Sequence, residues 1–127
     1  MDNIEKTPTS AELEILTLLW EKNPQTVKEI HETLMDKKDV GYTTTLKIMQ
    51  NMLEKGILKR EPNGKSHLYS PVIKKEETRG KLLDTFLDSA FGGSAANLVM
   101  QLLGNSKATK EELDKIKALI DQIDKNK

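Results

Sequence analysis

The chain has 127 residues, enough for one core with a small additional segment but short for two independent domains. It contains no cysteine, which excludes disulfide bonds, thiolate metal sites and a thiol nucleophile. Its start is polar and acidic and no apolar run is long enough to span a membrane, so we expect a cytoplasmic protein that does not enter a membrane.

The formal net charge is zero, but the charge is unevenly distributed along the chain. Residues 1–40 carry a net charge of −4, residues 41–69 carry +3 and residues 70–127 carry +1. A charge of +3 is modest and, by itself, is more typical of a solvated surface than of a nucleic-acid-binding surface. The order of the predicted elements is therefore more informative than the charge.

Two capped helices are predicted near the start of the chain. Thr9 with Glu12, and Thr26 with Glu29, have the spacing of a capping box, in which each side chain accepts a hydrogen bond from the other residue's backbone N–H. The first helix is expected to run to about Trp20, where an Asn-Pro pair soon follows. The second is expected to end in a charged loop.

A third helix is predicted to start near Tyr42, and at 100° per residue its side chains separate into two arcs. The apolar arc is expected to pack and comprises Thr45, Leu46, Ile48, Met49, Met52 and Leu53. The polar arc is expected to face outward and comprises Thr43, Thr44, Lys47, Gln50, Asn51, Glu54 and Lys55. Hydroxyls, amides and lysine reach base edges and phosphates from a helix in the major groove, so this helix is a candidate for reading DNA. The alternative is an ordinary surface helix.

A short β-hairpin is predicted after Gly56, which is expected to end the third helix. The expected strands are 57–60 and 67–70, joined by a turn that contains Pro62 and the strong hairpin signal Asn63-Gly64. Because an isolated two-stranded hairpin is barely stable, it must pack on the helices.

The hairpin carries basic residues directly after the candidate DNA-reading helix, and this order is the layout of a winged helix-turn-helix. We expect Lys59, Arg60 and Lys65, with Asn63 at the tip, to contact the DNA backbone. The alternative for these residues is charge that only maintains solubility. Tyr42 is either a phosphate donor or an aromatic residue that packs on the core.

Three further helices are predicted, at roughly 74–91, 94–103 and 109–124, with Gly92 and Gly93 as a joint. Their apolar faces are larger than three short helices can cover alone, so a symmetric homodimer is expected. The candidate dimerisation residues are Leu83, Phe86, Leu87, Leu98, Leu102, Leu113, Ile116, Ile120 and Ile123. The fold is thus predicted to be mainly α with a small β-hairpin: a winged helix-turn-helix domain at 1–72 and a helical dimerisation region at 73–127.

No motif for catalysis, metal binding or cofactor binding is apparent. The only histidines, His31 and His67, are far apart, and no cysteine accompanies them. Glycine-rich phosphate loops, nucleophile elbows and recognisable carboxylate pairs are also missing from the sequence. We therefore predict no catalytic residue, no metal site and no cofactor.

Three segments, LLWEKNPQTVKEI, GYTTTLKIMQNMLEKG and KREPNGKSHLYSPVI, resemble the penicillinase-repressor family (BlaI/MecI/CopY) of bacterial winged-helix repressors. The resemblance covers nearly the full length of the chain. It implies a homodimer whose N-terminal winged-helix domains bind a palindromic DNA operator and whose C-terminal helices form the dimer. It also implies repression of resistance or stress genes.

Within this resemblance, the Tyr42-Thr43-Thr44 start is similar to the family's operator-reading helix. Lys47 stands where a small hydroxyl residue is usual and Asn51 where a basic one is usual, so a different preferred operator is expected. Antibiotic-responsive members are cleaved at an asparagine-phenylalanine bond, and the aligned bond here is Gln101-Leu102. The copper-responsive branch uses C-terminal cysteines, and this chain has none.

Two alternative functions follow from the same features. The neutral overall charge would suit a winged helix that serves as a protein-interaction module without binding DNA. The different residues at the aligned cleavage bond would suit a protein that keeps the DNA-binding function and adds an unknown small-molecule effector held between the C-terminal helices.

Overall fold

The computed structural model describes residues 7–105 and 108–125, with side chains as far as residue 122. This part of the chain forms six helices and one antiparallel hairpin, which confirms the predicted fold class. The elements are α1 (Ser10–Glu21), α2 (Val27–Met35), α3 (Tyr42–Lys55), β1 (Leu58–Asn63), β2 (Ser66–Pro71), α4 (Lys75–Phe91), α5 (Ala95–Gly104) and α6 (Lys110–Lys125). None of the described helices is both long and apolar enough to cross a membrane.

The chain divides into two compact units, and the boundary falls inside α4. The N-terminal unit extends to Leu82 and contains the first three helices, the hairpin and the start of α4. The C-terminal unit begins at Leu83.

The starts of α1 and α2 are closed by the predicted capping boxes. Thr9 Oγ1 accepts from the backbone N–H of Glu12 at 3.2 Å, and the Glu12 carboxylate accepts from the backbone N–H of Thr9 at 2.9 Å. Thr26 and Glu29 repeat the pattern at 3.1 and 2.9 Å. The backbone N–H of Thr26 lowers the pKa of Glu29 because it stabilises the ionised carboxylate. Both capping predictions are confirmed.

The core of the N-terminal unit collects apolar side chains from α1, α2, α3 and the hairpin. Its buried members are Ile15, Leu16, Leu19, Val27, Ile30, Leu34, Met49, Met52, Ile57, Leu58 and Tyr69. Because hairpin residues are part of this core, the hairpin is stabilised by the helices, as its short strands require.

The hairpin is longer and its turn is tighter than predicted. Residues pair from Leu58 with Pro71 to Asn63 with Ser66, and the two-residue turn is Gly64-Lys65. The expectation that Pro62 and Asn63 lie in the turn is therefore wrong. Proline is tolerated in β1 because both strands of a two-stranded sheet are edges. Gly64 has φ +64°, a value that glycine adopts without strain.

Two long-range links hold the hairpin and the segment after it against α1. Gln25, in the loop after α1, exchanges backbone hydrogen bonds with Tyr69 of β2 at 3.0 and 2.7 Å. The side chain of Gln25 also donates to the carbonyl of Lys22 at 2.7 Å, at the C-terminal end of α1. The indole N–H of Trp20 donates to the carbonyl of Ile73 at 3.0 Å.

The described side chains of the C-terminal unit form no buried core. Its helices lie within one residue of their predicted bounds, and Gly92 and Gly93 have φ of +56° and +84° at the predicted joint. None of the described side chains from residue 83 to residue 122 is buried. Isolated helices of this length are marginal in water, and the described apolar side chains of this unit stay exposed or half-buried.

Candidate nucleic-acid interface

The polar arc of α3 forms an exposed ridge. Its exposed side chains are Thr43, Thr44, Lys47, Gln50, Asn51 and Glu54. On the opposite side of the helix, Thr45, Met49 and Met52 are fully buried. For these residues the predicted division into a packed arc and an outward arc is confirmed.

Lys55 is the exception to this division. Its Nζ lies 2.6 Å from Oε1 of Glu12, whose side chain is 6% exposed. A buried carboxylate needs a counter-charge, and the long lysine stem reaches it from the edge of the arc. The expectation that Lys55 faces outward is therefore wrong, and the residue instead links the end of α3 to the start of α1.

A cleft of about 440 Å³ lies between α3, the hairpin and the start of α2. It is lined by Thr26, Val27, Lys28, Tyr42, Leu46, Gln50, Arg60, Lys65, Ser66, His67 and Tyr69. Three of these residues are cationic and none is acidic. The arrangement suits a polyanion because no lining carboxylate competes for the cations.

The predicted DNA-binding residues fall into three places. Those that line the cleft are Tyr42, Gln50, Arg60 and Lys65. Those that occupy only the exposed ridge of α3 are Thr43, Thr44, Lys47 and Asn51. Lys59 and Asn63 are exposed on β1 but do not line the cleft. Lys59 pairs with Ser70 and Arg60 pairs with Tyr69, so the alternation of a strand separates the two cations onto opposite faces.

Tyr42 both packs and remains accessible. Its ring meets the ring of His31 edge-on, with centroids 5.4 Å apart, yet the residue is 46% exposed. His31 Nδ1 lies 3.2 Å from Oγ1 of the buried Thr45. Tyr42 is therefore not part of the core, and the ring contact with His31 leaves much of its surface free for the role of a phosphate donor.

Several cleft residues were not predicted from the sequence: Thr26, Lys28, Ser66, His67 and Tyr69. Only Lys28 has a local signal. It lies in the first turn of α2, where a positive charge opposes the helix dipole and is unfavourable unless it has another role. The others are brought to the cleft by the packing of the hairpin against the helices.

The candidate dimerisation residues lie on the C-terminal helices with much of their surface uncovered. Leu83, Phe86, Leu102, Ile116 and Ile120 are exposed, and Leu87, Leu98 and Leu113 are half-buried. The side chain of Ile123 lies outside the described residues. Gln101 and Leu102, the residues at the aligned cleavage bond, are both exposed on α5.

A sequence model described as penicillinase repressor matches residues 8–122. The chain belongs to the penicillinase repressor family. Among its relatives, the penicillinase repressor of Staphylococcus aureus is 25% identical over 125 residues, which cover 98% of this chain and 99% of that protein. The resemblance to this family is therefore confirmed.

Two solved structures are similar in fold to this chain. The DNA-binding domain of the repressor BlaI, a solution structure, matches with a TM-score of 0.52 and 21% identity, covering 57% of this chain and 88% of that one. A crystal structure of a MarR mutant from E. coli complexed with operator DNA matches with a TM-score of 0.54 and 16% identity, covering 97% and 88%. The N-terminal unit is thus a winged-helix fold.

Proposed function

We propose that this protein is a cytoplasmic transcriptional repressor that binds a palindromic DNA operator as a homodimer and controls resistance or stress genes. Its relatives in the penicillinase repressor family are repressors by name, and one structural neighbour was solved on operator DNA. The observation that carries the proposal is the cleft between α3 and the hairpin, which is lined by three cations and no carboxylate.

In this proposal the ridge and the cleft have different tasks. The exposed ridge of α3 enters the major groove, where the side chains of Thr44, Lys47 and Asn51 meet base edges. The cleft receives the sugar-phosphate backbone beside that groove, and the cations Lys28, Arg60 and Lys65 bind its phosphates. The ridge therefore selects the sequence, while the cleft supplies affinity and orientation.

The C-terminal unit supplies the second copy in this proposal. Its large exposed apolar side chains are unfavourable in water and become covered when two copies pair. A dimer with two-fold symmetry presents two copies of α3, which suits an operator with two inverted half-sites.

The proposal is tested by fluorescence anisotropy with labelled duplexes from the promoter beside this gene and with a random duplex, titrated across KCl. We expect tight binding of two chains per palindrome, with affinity that falls steeply as salt rises. Lys28→Ala should reduce the slope of log K against log salt by about 0.9, the value for one lost phosphate contact. Lys37→Ala is the matched control, because Lys37 is also exposed but does not line the cleft.

Three results would change the interpretation. No binding of the wild type at low salt would contradict DNA binding and favour the protein-interaction module. Flat salt dependence would contradict a phosphate-binding cleft. Equal slopes for Lys28→Ala and Lys37→Ala would leave DNA binding intact but remove Lys28 from the phosphate-binding set.

A further inference from the structure

We propose that Tyr69 is a positioning residue for DNA binding: its buried hydroxyl holds the guanidinium of Arg60 in place in the cleft, ready to bind a phosphate. This inference rests on the proposed function and adds to it a residue that need not contact DNA itself. The hydrogen bond from Arg60 Nη1 to the Tyr69 hydroxyl, 3.2 Å long, is the observation behind it.

Burial and backbone hydrogen bonds fix the position of Tyr69. It is 2% exposed, and its backbone exchanges two hydrogen bonds with Gln25. The side-chain amide of Gln25 in turn donates to the carbonyls of Lys22 and Leu18 at the end of α1. The position of the phenol oxygen therefore depends on the hairpin and also on α1, which holds Gln25, which in turn holds the backbone of Tyr69.

Arg60 has a flexible side chain, so a fixed hydrogen-bond partner can lower the entropy that it loses when it binds a ligand. It is exposed, and a free arginine loses a large rotamer entropy when a ligand immobilises it. The hairpin register places Arg60 directly opposite Tyr69, so the two side chains lie on the same face of the sheet. The bond to the phenol restricts the rotamers of Arg60 before DNA arrives, while most of the guanidinium donors stay available.

The chemistry of the partner is as important as its position. A carboxylate would orient Arg60 more strongly, but it would also neutralise the guanidinium and compete with phosphate for the same donors. The phenol hydroxyl is uncharged and accepts a single bond. Over the described residues, Arg60 forms no ion pair, and no carboxylate lines the cleft. Arg60 is thus oriented while its full positive charge is retained for DNA.

The test uses the full-length chain and the promoter duplex of the preceding experiment. Tyr69→Phe retains the ring in the core and removes only the oxygen. We expect unchanged circular dichroism, a roughly three- to ten-fold loss of affinity and an unchanged salt slope, because the charge remains but is no longer oriented. Arg60→Ala should lower both the affinity and the slope. The double variant should bind no more weakly than Arg60→Ala alone.

A merely structural role for Tyr69 would give a different pattern: the losses from Tyr69→Phe and Arg60→Ala would add in the double variant. Additive losses, or unchanged affinity in Tyr69→Phe, would overturn the inference while leaving the proposed function in place. Absence of wild-type DNA binding would overturn both.

A second measurement does not depend on the folding of Tyr69→Phe. Nitrogen-15 NMR of the wild-type chain at low temperature should show restricted rotation of the Arg60 guanidinium, with the two Nη groups resolved. Arg79 is the internal control, because it also carries a guanidinium and is exposed on α4. If the Arg60 guanidinium rotates as freely as that of Arg79 in the DNA-free protein, the inference is overturned.

Discussion

Two ion pairs of the N-terminal unit have the same length but different surroundings. Lys55 to Glu12 and Lys38 to Glu14 are both 2.6 Å long. In the first pair the Glu12 side chain is 6% exposed, whereas both side chains of the second pair are more than 40% exposed. Water screens the exposed pair, so the two bonds should contribute very differently to stability.

Lys55→Met should therefore be much more damaging than Lys38→Met. The first leaves a buried carboxylate without its counter-charge and should lower the free energy of unfolding by about 1–3 kcal/mol. The second breaks an exposed pair and should cost less than about 0.5 kcal/mol. Urea unfolding followed by circular dichroism compares them, and equal losses would contradict a structural role for the buried pair.

Lys55 also shows where prediction from a single residue fails. Its position on the helical wheel places it at the edge of the outward arc, and no local pattern indicates a buried carboxylate 43 residues earlier in the chain. The exposed ridge of α3 was predictable because those side chains stay exposed to solvent, as helical periodicity indicates. Whether Lys55 faces solvent or forms an ion pair depends on which helix packs beside α3.

At the scale of elements, the ends of the helices are set by local chemistry that the sequence displays. Gly56 ends α3 with φ +82°, and a Cβ built there would meet nothing within 4 Å. Gly80 lies inside α4, where a Cβ would also meet open space, but it has no positive φ. The two glycines therefore differ in backbone conformation and not in available room.

We expect alanine to have opposite effects at these two positions. Gly56→Ala forces an L-residue into the left-handed region and should destabilise the protein by about 1–2 kcal/mol. Gly80→Ala lowers the entropy of the unfolded chain within a helix and should stabilise it by about 0.5–1 kcal/mol. Thermal unfolding of both variants measures the signs. Stabilisation by both substitutions would show that the termination of α3 does not depend on the left-handed conformation of Gly56, whereas destabilisation by both would contradict only the prediction for Gly80.

The hairpin illustrates the limit of prediction for an element. Its existence and basic character follow from the Asn-Gly pair and the cations around it, but its register was not predictable to the residue. The bonds between Gln25 and Tyr69, 44 positions apart in the chain, align β2 with the end of α1. That alignment decides that Arg60 belongs to the cleft and that Lys59 does not.

For the whole molecule, the contrast between the two units is the main feature. The N-terminal unit has eleven buried apolar residues in one cluster, while no described side chain between residues 83 and 122 is buried. In α6, Ile116, Leu119 and Ile120 are exposed on one face of the helix. An apolar face of this kind is the surface that the proposed dimer would cover.

Ile120→Glu should weaken the proposed dimer, because it places a charge in an apolar contact. Burying an isoleucine contributes about 1.5–3 kcal/mol, so the dissociation constant should rise by at least about ten-fold. Ala118→Glu, on the opposite face of α6, is the matched control and should not change it. Sedimentation velocity across a dilution series gives both values. A monomeric wild type, or equal weakening by both variants, would contradict the dimer surface.

The sequence by itself determined the features that depend on neighbours within about four residues. The capping boxes, the two arcs of α3, the glycine that ends it and the apolar faces of the C-terminal helices all follow from such spacing. Only the tertiary structure decided which cations share a cleft. Lys28, Tyr42 and Arg60 are distant in the chain, and they meet because the hairpin packs on the core formed by the first three helices. Contacts of that range depend on how whole elements pack, and local periodicity does not encode them.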